Sequence, residues 1–395
     1  MKIFNKNRIK LFFFLTIFII FYNEIYVFWK AYLNWPSLHK PSLFYYKNGS
    51  FIKNTNERPV RFLLVADPQL IGENDEPWFL SWLAQWDSDR YLKSTFILAN
   101  SYTKPDATIF LGDLFDEGLK SSDAQVERYF KRFNKIFQIE KMQKKYSIPQ
   151  IFISGDNDIG GEYFGDRNNR LVKRFEKYFN STIDLIQFNS FIKFLKLDLD
   201  YTSSSYDGDK RNSILNMLNK NKNENIENLR DQFTIVLNHL SLLRTDRVQL
   251  NKLNKDSKAS LIIKGDSHLF EIIKYNYVTQ KIEEYIDYKK NPSNFYTMSL
   301  NSDKFDNGAE SVYELSIPTC SYRMGVPNMG YGVLTISPNG KAYVSILWLP
   351  SRFDCIKNYI VFIGLILGYF LVNFCIKTAY RKLYFVISNR IVKHY

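Results

Sequence analysis

The chain has 395 residues, with 53 lysine and arginine residues against 40 aspartate and glutamate residues, and 45% of its residues are apolar. This apolar content excludes a disordered chain and is enough for one large domain or two ordinary ones. Three cysteines without a CxxC spacing exclude a disulfide framework and a thiolate zinc cluster. The basic excess lies in residues 1–39 and 355–395, so the centre lacks the dense basic surface that nucleic-acid binding requires.

The chain begins with an apolar segment that predicts a membrane anchor. Residues 11–22 (LFFFLTIFIIFY) carry no charge, and the run continues past Asn23 and Glu24 to Trp29, which is long enough to cross a bilayer as a helix. A cleaved signal peptide is the alternative. Because aromatic residues suited to a membrane interface follow, and no cleavage site of small residues does, we expect an uncleaved signal anchor in residues 1–35.

Residues 36–58 predict a linker, since they are rich in Pro, Asn and Lys. Short apolar runs after this linker predict strands that are buried on both faces, because each run is rich in Val, Ile and Phe and is bounded by Gly, Pro or Asp. The five runs are residues 61–66, 107–111, 150–154, 233–237 and 260–264.

Helix-like spacing fills residues 78–102 and 123–146, between the first three strands. Strands that alternate with helices indicate an α/β fold, and we expect one domain over residues 59–350. Within it, residues 203–231 predict a flexible surface insertion because they are dense in Ser, Asn, Asp and Lys. Weak alternation of apolar residues after residue 312 predicts further strands that end near residue 349.

A second uncharged segment, residues 358–376, predicts a transmembrane helix at 356–376, followed by a basic tail at 377–395. Both basic flanks lie outside the region between the two spans. The positive-inside rule therefore places both termini in the cytosol and the central domain on the lumenal side. The sequons at Asn48 and Asn180 agree with a glycoprotein of the secretory pathway.

Each of the five predicted strands is followed at once by a polar residue that can bind a metal ion. Singly, such an Asp is a turn former or a helix cap, and such a His is a core residue. Ligands gather beyond the carboxyl ends of strands in α/β sheets, so the joint pattern predicts a metal site. In strand order, the residues are Asp67 with Gln69, Asp113, Asp156, His239, and Asp266 with His268.

The order of these residues resembles the calcineurin-like metallophosphoesterases, whose pattern is Asp-x-His, Gly-Asp-x-x-Asp/Glu, Gly-Asn-His-Asp/Glu, a lone His and Gly-His-x-His. The stretches VADPQLIGE, IFLGDLFDEG and RFEKYF, the Asp158-Ile159-Gly160 ending and the flanking spans are similar to the membrane-anchored branch that remodels glycosylphosphatidylinositol (GPI) anchors. That branch removes ethanolamine phosphate from a mannose. The resemblance covers roughly residues 11–376 and implies two mixed sheets flanked by helices, between two transmembrane helices.

The resemblance also implies two divalent metal ions. Gln69, Asp156 and Asp266 stand where the family has His, Asn and His. A carboxylate-rich site with few imidazoles favours Mn²⁺ or Mg²⁺ over Zn²⁺, and manganese also agrees with the resemblance. The implied ligands are Asp67, Gln69, Asp113 and His268 for one metal, and Asp113, Asp156, His239 and Asp266 for the other, with Asp116 orienting them.

Asn157 occupies the position of the general-acid histidine in the family pattern. A carboxamide does not donate a proton near neutral pH, so water, Asp158 or a substrate group has to protonate the leaving group. General-acid catalysis is worth about 10²–10⁴-fold, so we expect slower turnover rather than none.

The expected function is a dinuclear-metal phosphodiesterase of the endoplasmic reticulum or Golgi membrane that acts on GPI-anchored proteins or GPI glycolipids, and not on nucleic acid. Asn157 leaves open an alternative, a catalytically impaired, metal-binding adaptor of the same fold that acts in GPI-protein trafficking.

Overall fold

The computed structural model describes residues 6–38, 44–47, 50–53, 58–161, 168–198, 216, 232–243, 247–287, 295–300 and 310–392. The chain divides into two compact units, one made of Met1–Lys30 with Pro350–Tyr395 and the other of Ala31–Leu349. The domain boundaries expected from the sequence, at residues 35, 59 and 350, stay predictions. Nearly all of the predicted insertion at 203–231 lies outside the described residues.

The secondary structure below covers the described ranges only. The helices are α1 Lys6–Phe21, α2 Val27–Leu33, α3 Ser81–Thr103, α4 Asp123–Phe137, α5 Ile139–Tyr146, α6 Asp156–Ile159, α7 Asn169–Phe179, α8 Arg247–Ser257 and α9 Arg352–Val392. The strands are β1 Phe44–Lys47, β2 Ser50–Lys53, β3 Val60–Val65, β4 Ala107–Leu111, β5 Gln150–Ile153, β6 Asp184–Gln187, β7 Ile192–Lys196, β8 Phe233–Leu237, β9 Ala259–Lys264, β10 Glu271–Asn276, β11 Lys281–Asp287, β12 Tyr296–Ser299, β13 Ser311–Ser316, β14 Gly330–Ile336 and β15 Lys341–Trp348.

The first unit contains most of the first apolar segment, up to Lys30, and the whole of the second. The segments Arg8–Leu33 and Arg352–Phe385 are long and apolar enough to cross a membrane, by length and composition. A π-helical turn at Tyr22–Tyr26 joins α1 to α2. Helix α9 continues past the predicted end at residue 376 through the basic tail, because a change from apolar to basic residues does not end a helix when Lys, Arg and Leu are all good helix formers.

A polar cluster connects α9 to the π-helical turn within this unit. Glu24 Oε1 accepts a hydrogen bond from Arg352 Nη1 at 2.9 Å and one from the Tyr359 hydroxyl at 2.7 Å. Next to them, Asn358 Nδ2 donates to Asn23 Oδ1 at 3.0 Å. Polar groups inside apolar helices are costly unless they are paired, so these contacts specify how the two helices pack.

The second unit is built on two mixed sheets. One has the strand order β12-β15-β14-β3-β4-β5 and the other β11-β10-β13-β9-β8-β7-β6. Strands β3, β4 and β5 are parallel in the first sheet, and β7, β8, β9 and β13 are parallel in the second. The five strands predicted from the sequence are β3, β4, β5, β8 and β9, so the predicted fold of two mixed sheets is confirmed.

The main core lies between the two sheets. Phe62, Ile109 and Ile153 of one sheet share a buried cluster with Ile235 and Ile263 of the other. The outer faces are covered as well, which is why these strands read as continuous apolar runs. Aromatic rings of α3 and α4 pack on β4 and β5, through Phe96, Phe133 and Phe137 against Phe110 and Phe152.

Several elements differ from the prediction. The region predicted as a linker contains β1 and β2, which pair with each other. The helix predicted over residues 123–146 is divided at Gln138, which adopts a positive φ of 51° and ends α4. Strand β11 (KIEEYID) was not predicted because most of its residues are exposed and the sequence there is correspondingly polar.

Candidate metal centre

The carboxyl ends of strands from both sheets meet around one histidine. Asp67, Asp113 and Asp156 follow β3, β4 and β5 of one sheet, and His239 follows β8 of the other. His239 Nε2 lies 3.2 Å from Asp156 Oδ1, 3.4 Å from Asp113 Oδ1 and 3.9 Å from Asp67 Oδ1. The loop after β9 adds His268, whose Nδ1 is 3.6 Å from Asp67 Oδ2.

The donor atoms of this group fit a bound divalent cation. Potential ligand atoms of Asp67, Asp113 and His239 all lie within 4.8 Å of one another. Among the side chains that the structure describes, Asp67 Oδ2, His239 Nε2 and His268 Nδ1 are buried atoms without a hydrogen-bond partner. Buried acceptors that face other acceptors destabilise a protein interior, and a cation that accepts their lone pairs removes that cost.

His239 is held in the tautomer that a metal ligand needs. The fully buried ring has Nδ1 at 2.7 Å from the carbonyl oxygen of Leu111, so Nδ1 carries the proton and donates it there. Nε2 then keeps its lone pair on the side of the carboxylates. Gly112 permits this approach, because it has a φ of +91° and an added Cβ would lie 2.5 Å from Nδ1.

The backbone around the site adopts unusual torsion angles. Asp67, Gln69, Asp113, Asp266 and His268 have positive φ values of 47°, 39°, 50°, 65° and 57°. Non-glycine residues in this region cost on the order of 1–3 kcal/mol each and persist only where surrounding contacts hold them. Such contacts are present, since the backbone N–H of Gln69 donates to the carbonyl of Asp113 at 2.9 Å and that of Asp266 donates to Asp67 Oδ1 at 3.2 Å.

Burial and the mutual proximity of the charged groups together shift the pKa values of the cluster. Burial raises the pKa of Asp113, and the neighbouring carboxylates of Asp156 and Asp67 raise it further, against the opposing effect of His239. Burial lowers the pKa of His239, but the carboxylates outweigh burial and raise it well above its ordinary value. A bound divalent cation reverses both effects because it stabilises carboxylate anions and neutral imidazole.

Two amides donate hydrogen bonds to Asp113 in the centre of the site. Gln69 Nε2 and Asn157 Nδ2 each lie 2.9 Å from Asp113 Oδ2, and the backbone N–H of Asn157 lies 3.1 Å from Oδ1. The structure therefore brings both residues to the metal centre. The side-chain nitrogen of Gln69, and not its oxygen, faces Asp113. The role of Gln69 as an oxygen ligand of the metal therefore stays a prediction.

Asp158 takes a position that differs from that of a proton donor. Its two carboxylate oxygens accept hydrogen bonds from the backbone N–H groups of Leu114, Phe115 and Gly155 at 2.9–3.2 Å. Burial raises its pKa to about 6. Since both oxygens bind the backbone of the loops after β4 and β5, we assign Asp158 to holding those loops together instead of to the protonation of a leaving group.

Asp266 and Asp116 contact the site less directly. Asp266 binds Asp67 through its backbone, while its carboxylate lies 3.9 Å from Lys264 Nζ, so the ligand role expected for its side chain stays a prediction. The backbone N–H of Asp116 donates to the carbonyl of Leu70 at 3.1 Å. Burial and the nearby Glu117 raise the pKa of its carboxyl group.

Two residues that support the site were not predicted. The carbonyl of Leu111 orients His239, and the hydroxyl of Thr319 donates to the backbone carbonyl of Asp67 at 2.8 Å. Leu111 is the last residue of a predicted strand, where only its side chain suggested a role. Thr319 lies just after the carboxyl end of β13. The other site residues were found because each follows a predicted strand, and Thr319 could have been found in the same way if β13 had been predicted to end beside those strands.

Comparison with known proteins places the chain in a family. Residues 60–270 match the profile of the calcineurin-like phosphoesterase family. A metallophosphoesterase 1 homolog of Drosophila melanogaster is 33% identical over 124 residues, which are 31% of this chain and 30% of the fly protein. Cell division control protein 1 of Saccharomyces cerevisiae is 25% identical over 335 residues, covering 75% of this chain and 62% of the yeast protein. Both alignments thus cover less than two thirds of the curated relative.

Among solved structures, that of PhoD aligns with 72% of this chain and 65% of its own at a TM-score of 0.42 and 8% identity. The matched profile spans more than half of the chain and contains every strand end that contributes to the metal centre. The chain belongs to the calcineurin-like phosphoesterase family.

Proposed function

We propose that this protein is a membrane-held, metal-dependent phosphodiesterase that removes ethanolamine phosphate from a mannose of GPI anchors. The observation that carries the phosphoesterase part is the convergence of Asp67, Asp113, Asp156 and His239 from two sheets, with acceptor atoms that face one another. The family profile over the same residues supports it.

The residues that would hold divalent cations are Asp67, Asp113 and His239, with Asp156 and His268 beside them. When bound, such cations supply charge neutralisation at the phosphoryl oxygens and activation of a water molecule. Two cations and manganese remain the proposed composition, because a donor set rich in carboxylates suits Mn²⁺ or Mg²⁺. His239 contributes a fixed neutral nitrogen, and Asn157 holds Asp113 in place.

The proton for the leaving group is assigned to water or to a substrate group. Asn157 can donate an N–H hydrogen bond to a phosphate oxygen, but its amide does not release a proton near neutral pH. Asp158 is engaged with backbone amides. Catalysis therefore depends on positioning and charge, which usually supply the largest part of the rate increase in phosphoryl transfer.

The two apolar helices support an attachment of the phosphoesterase domain to a membrane, and the basic flanks favour a lumenal domain in the endoplasmic reticulum or Golgi. The exposed position of Asn180 at the end of α7 is compatible with glycosylation there. The GPI substrate rests on the similarity of VADPQLIGE, IFLGDLFDEG and RFEKYF to the GPI-remodelling branch.

The second candidate is an adaptor that binds metal without turnover, and Asn157 in place of a proton donor is the observation that favours it. The two candidates differ in manganese-dependent hydrolysis of bis-p-nitrophenyl phosphate by the purified full chain. We expect hydrolysis, and we expect Asp113→Asn to abolish it and to lower the manganese content. Asp123→Asn is the matched control, because Asp123 is an exposed carboxylate that pairs with Arg170. Manganese binding without hydrolysis would establish the adaptor.

The substrate needs a separate measurement. Mass spectrometry of GPI glycans from cells that lack this protein should show retained ethanolamine phosphate on one mannose. Unchanged glycans would remove the GPI assignment and leave the metal centre and its phosphoesterase chemistry in place.

A further inference from the structure

The beginning of α3 and the turn just before it carry a set of exposed aromatic and apolar side chains. Trp78, Trp82 and Trp86 are 89%, 68% and 56% exposed, and Phe79 and Leu83 are exposed between them. Trp82 and Trp86 stand four residues apart in α3, which brings their side chains to one face of the helix, and Trp78 lies in the turn just before it. We name these five residues the aromatic surface.

The aromatic surface is separate from the part of α3 that packs on the fold. Tyr91, Leu92 and Phe96 are buried, and Phe96 packs against Phe110 of the six-stranded sheet. The exposed face continues along the helix to Ile97, which is 40% exposed. Contiguous apolar surface of this kind marks an interaction site more often than an ordinary solvent-facing helix.

The carboxyl-terminal end of α3 contacts residues 32–36, which follow the first apolar helix in the chain. The ring of Tyr102 lies 5.3 Å from those of both Tyr32 and Trp35, and its hydroxyl donates to the carbonyl of Pro36 at 2.8 Å. Trp35 Nε1 in turn donates to the carbonyl of Trp348, just before the chain continues into α9. The two chain segments that lead to the apolar helices, at residues 35–36 and 348, thus lie at the Tyr102 end of α3. This end is about 30 Å along the helix from Trp82.

Basic residues border the same helix. Lys93 of α3 lines a cavity of about 390 Å³ together with Lys131 and Lys135 of α4 and Lys141 of α5. The guanidinium of Arg90 lies over the ring of Trp86, 5.2 Å from its centroid. Lysines next to exposed tryptophans are complementary to a bilayer surface, where phosphates lie above the acyl boundary that aromatic rings prefer.

We propose that the outer face of α3 docks on the lipid bilayer, with the aromatic surface in the headgroup region and Lys93, Lys131 and Lys135 at the lipid phosphates. The proposal rests on the membrane attachment in the proposed function. A protein partner would need no lysines beside the tryptophans, whereas a bilayer next to both chain connections explains the tryptophans, the lysines and the position of Tyr102 together.

Docking of α3 would bring the metal centre to the bilayer surface. The hydroxyl of Tyr322 donates to Asp87 Oδ2 of α3 at 2.9 Å, and its ring packs on Tyr91. Three residues before it, Thr319 binds the backbone of Asp67. The aromatic end of α3 and the metal centre are therefore joined by one short buried segment, residues 319–322.

The test uses the full chain in vesicles of phosphatidylcholine and phosphatidylserine. Cys375 is changed to Ser, while Cys320 and Cys355 are buried and escape labelling. A single environment-sensitive fluorophore is placed at Leu83→Cys, and quenching by doxyl-labelled phosphatidylcholine is compared with quenching by aqueous iodide. The matched control is Val278→Cys, an exposed apolar residue in the turn between β10 and β11.

We expect the lipid quencher to act several-fold more strongly at Leu83 than at Val278, and iodide to act in the opposite order. Charge reversal by Lys131→Glu with Lys135→Glu should weaken the lipid quenching at Leu83 only when phosphatidylserine is present. Equal access of iodide to both labels would overturn the proposal. Protection of Leu83 from both quenchers would also overturn it, in favour of a protein that covers α3. A label at Ile363→Cys in α9 tests the membrane attachment separately, and its failure to meet the lipid quencher would remove the basis of the proposal.

Discussion

Asn157→His should raise turnover of substrates with a poor leaving group. The backbone N–H of Asn157 binds Asp113 Oδ1 at 3.1 Å, and this contact survives any substitution except proline. The side-chain bond from Nδ2 to Asp113 Oδ2 is lost or replaced. A net hydrogen bond contributes about 0.5–1.5 kcal/mol, which is roughly 2–10-fold in rate. A positioned general acid contributes about 10²–10⁴-fold, so the gain exceeds the loss.

The assay is kcat/KM for wild type and Asn157→His at saturating manganese, with two kinds of diester. An alkyl leaving group, like a mannose hydroxyl, needs a proton to leave. For a diester with such a group, we expect Asn157→His to raise kcat/KM by at least about tenfold. A p-nitrophenolate leaves without one, so bis-p-nitrophenyl phosphate should change little. Asn157→Ala, which removes the amide without adding an acid, should slow both substrates. An equal effect of Asn157→His on both substrates would refute the reasoning, as would a loss of bound manganese.

Other substitutions test the support of the site and of the fold. Gly155→Ala should lower activity and destabilise the protein by about 1–3 kcal/mol, because its Cβ would meet the backbone and carboxylate of Asp113; Gly364→Ala, where a Cβ meets nothing within 4 Å, should be neutral in both activity and thermal unfolding. Phe133→Ala should lower the free energy of unfolding by about 3–5 kcal/mol in a denaturant titration, because the ring is fully buried among other phenylalanines. Burial lowers the pKa of Lys196 to about 8, below its unfolded value of about 10.4, so the unfolded state binds more protons between these pH values and stability rises with pH. Relative to Lys196→Met, wild type should therefore gain up to about 3 kcal/mol between pH 8 and pH 10.4, and a parallel pH dependence of the two proteins would contradict this.

The position of the metal centre could be predicted because its residues follow strands that are recognisable one at a time. Asp67, Asp113 and His239 each come after a short apolar run, and the carboxyl ends of parallel strands meet at one edge. The division of these strands between two sheets could not be predicted from the runs themselves. Strands β4 and β8 are both buried on two faces and have nearly the same composition, so nothing local distinguishes their sheets.

The direction of the side chains was the second feature of the site that the sequence could not predict. The sequence Gly-Asp-Asn-Asp at residues 155–158 offers three polar side chains in succession, and only the turn into α6 determines which faces the metal centre. Asn157 reaches Asp113, whereas Asp158 binds the amides of Leu114 and Phe115. The positive φ of Asp67 and Asp113 is likewise imposed by contacts between loops, because neither residue type requires it.

The bond between Glu24 and Arg352 has a consequence for the order in which the protein is made. The two residues stand 328 positions apart in the chain. In the membrane attachment that we propose, Glu24 would therefore reach the bilayer long before its cationic partner has been synthesised. Until then the first helix holds a carboxylate whose insertion into hydrocarbon is costly. Completion of the chain supplies Arg352 and Tyr359 and ties its beginning to its end. A chain shortened before Arg352 would keep the phosphoesterase domain and lose the cation that pairs with Glu24.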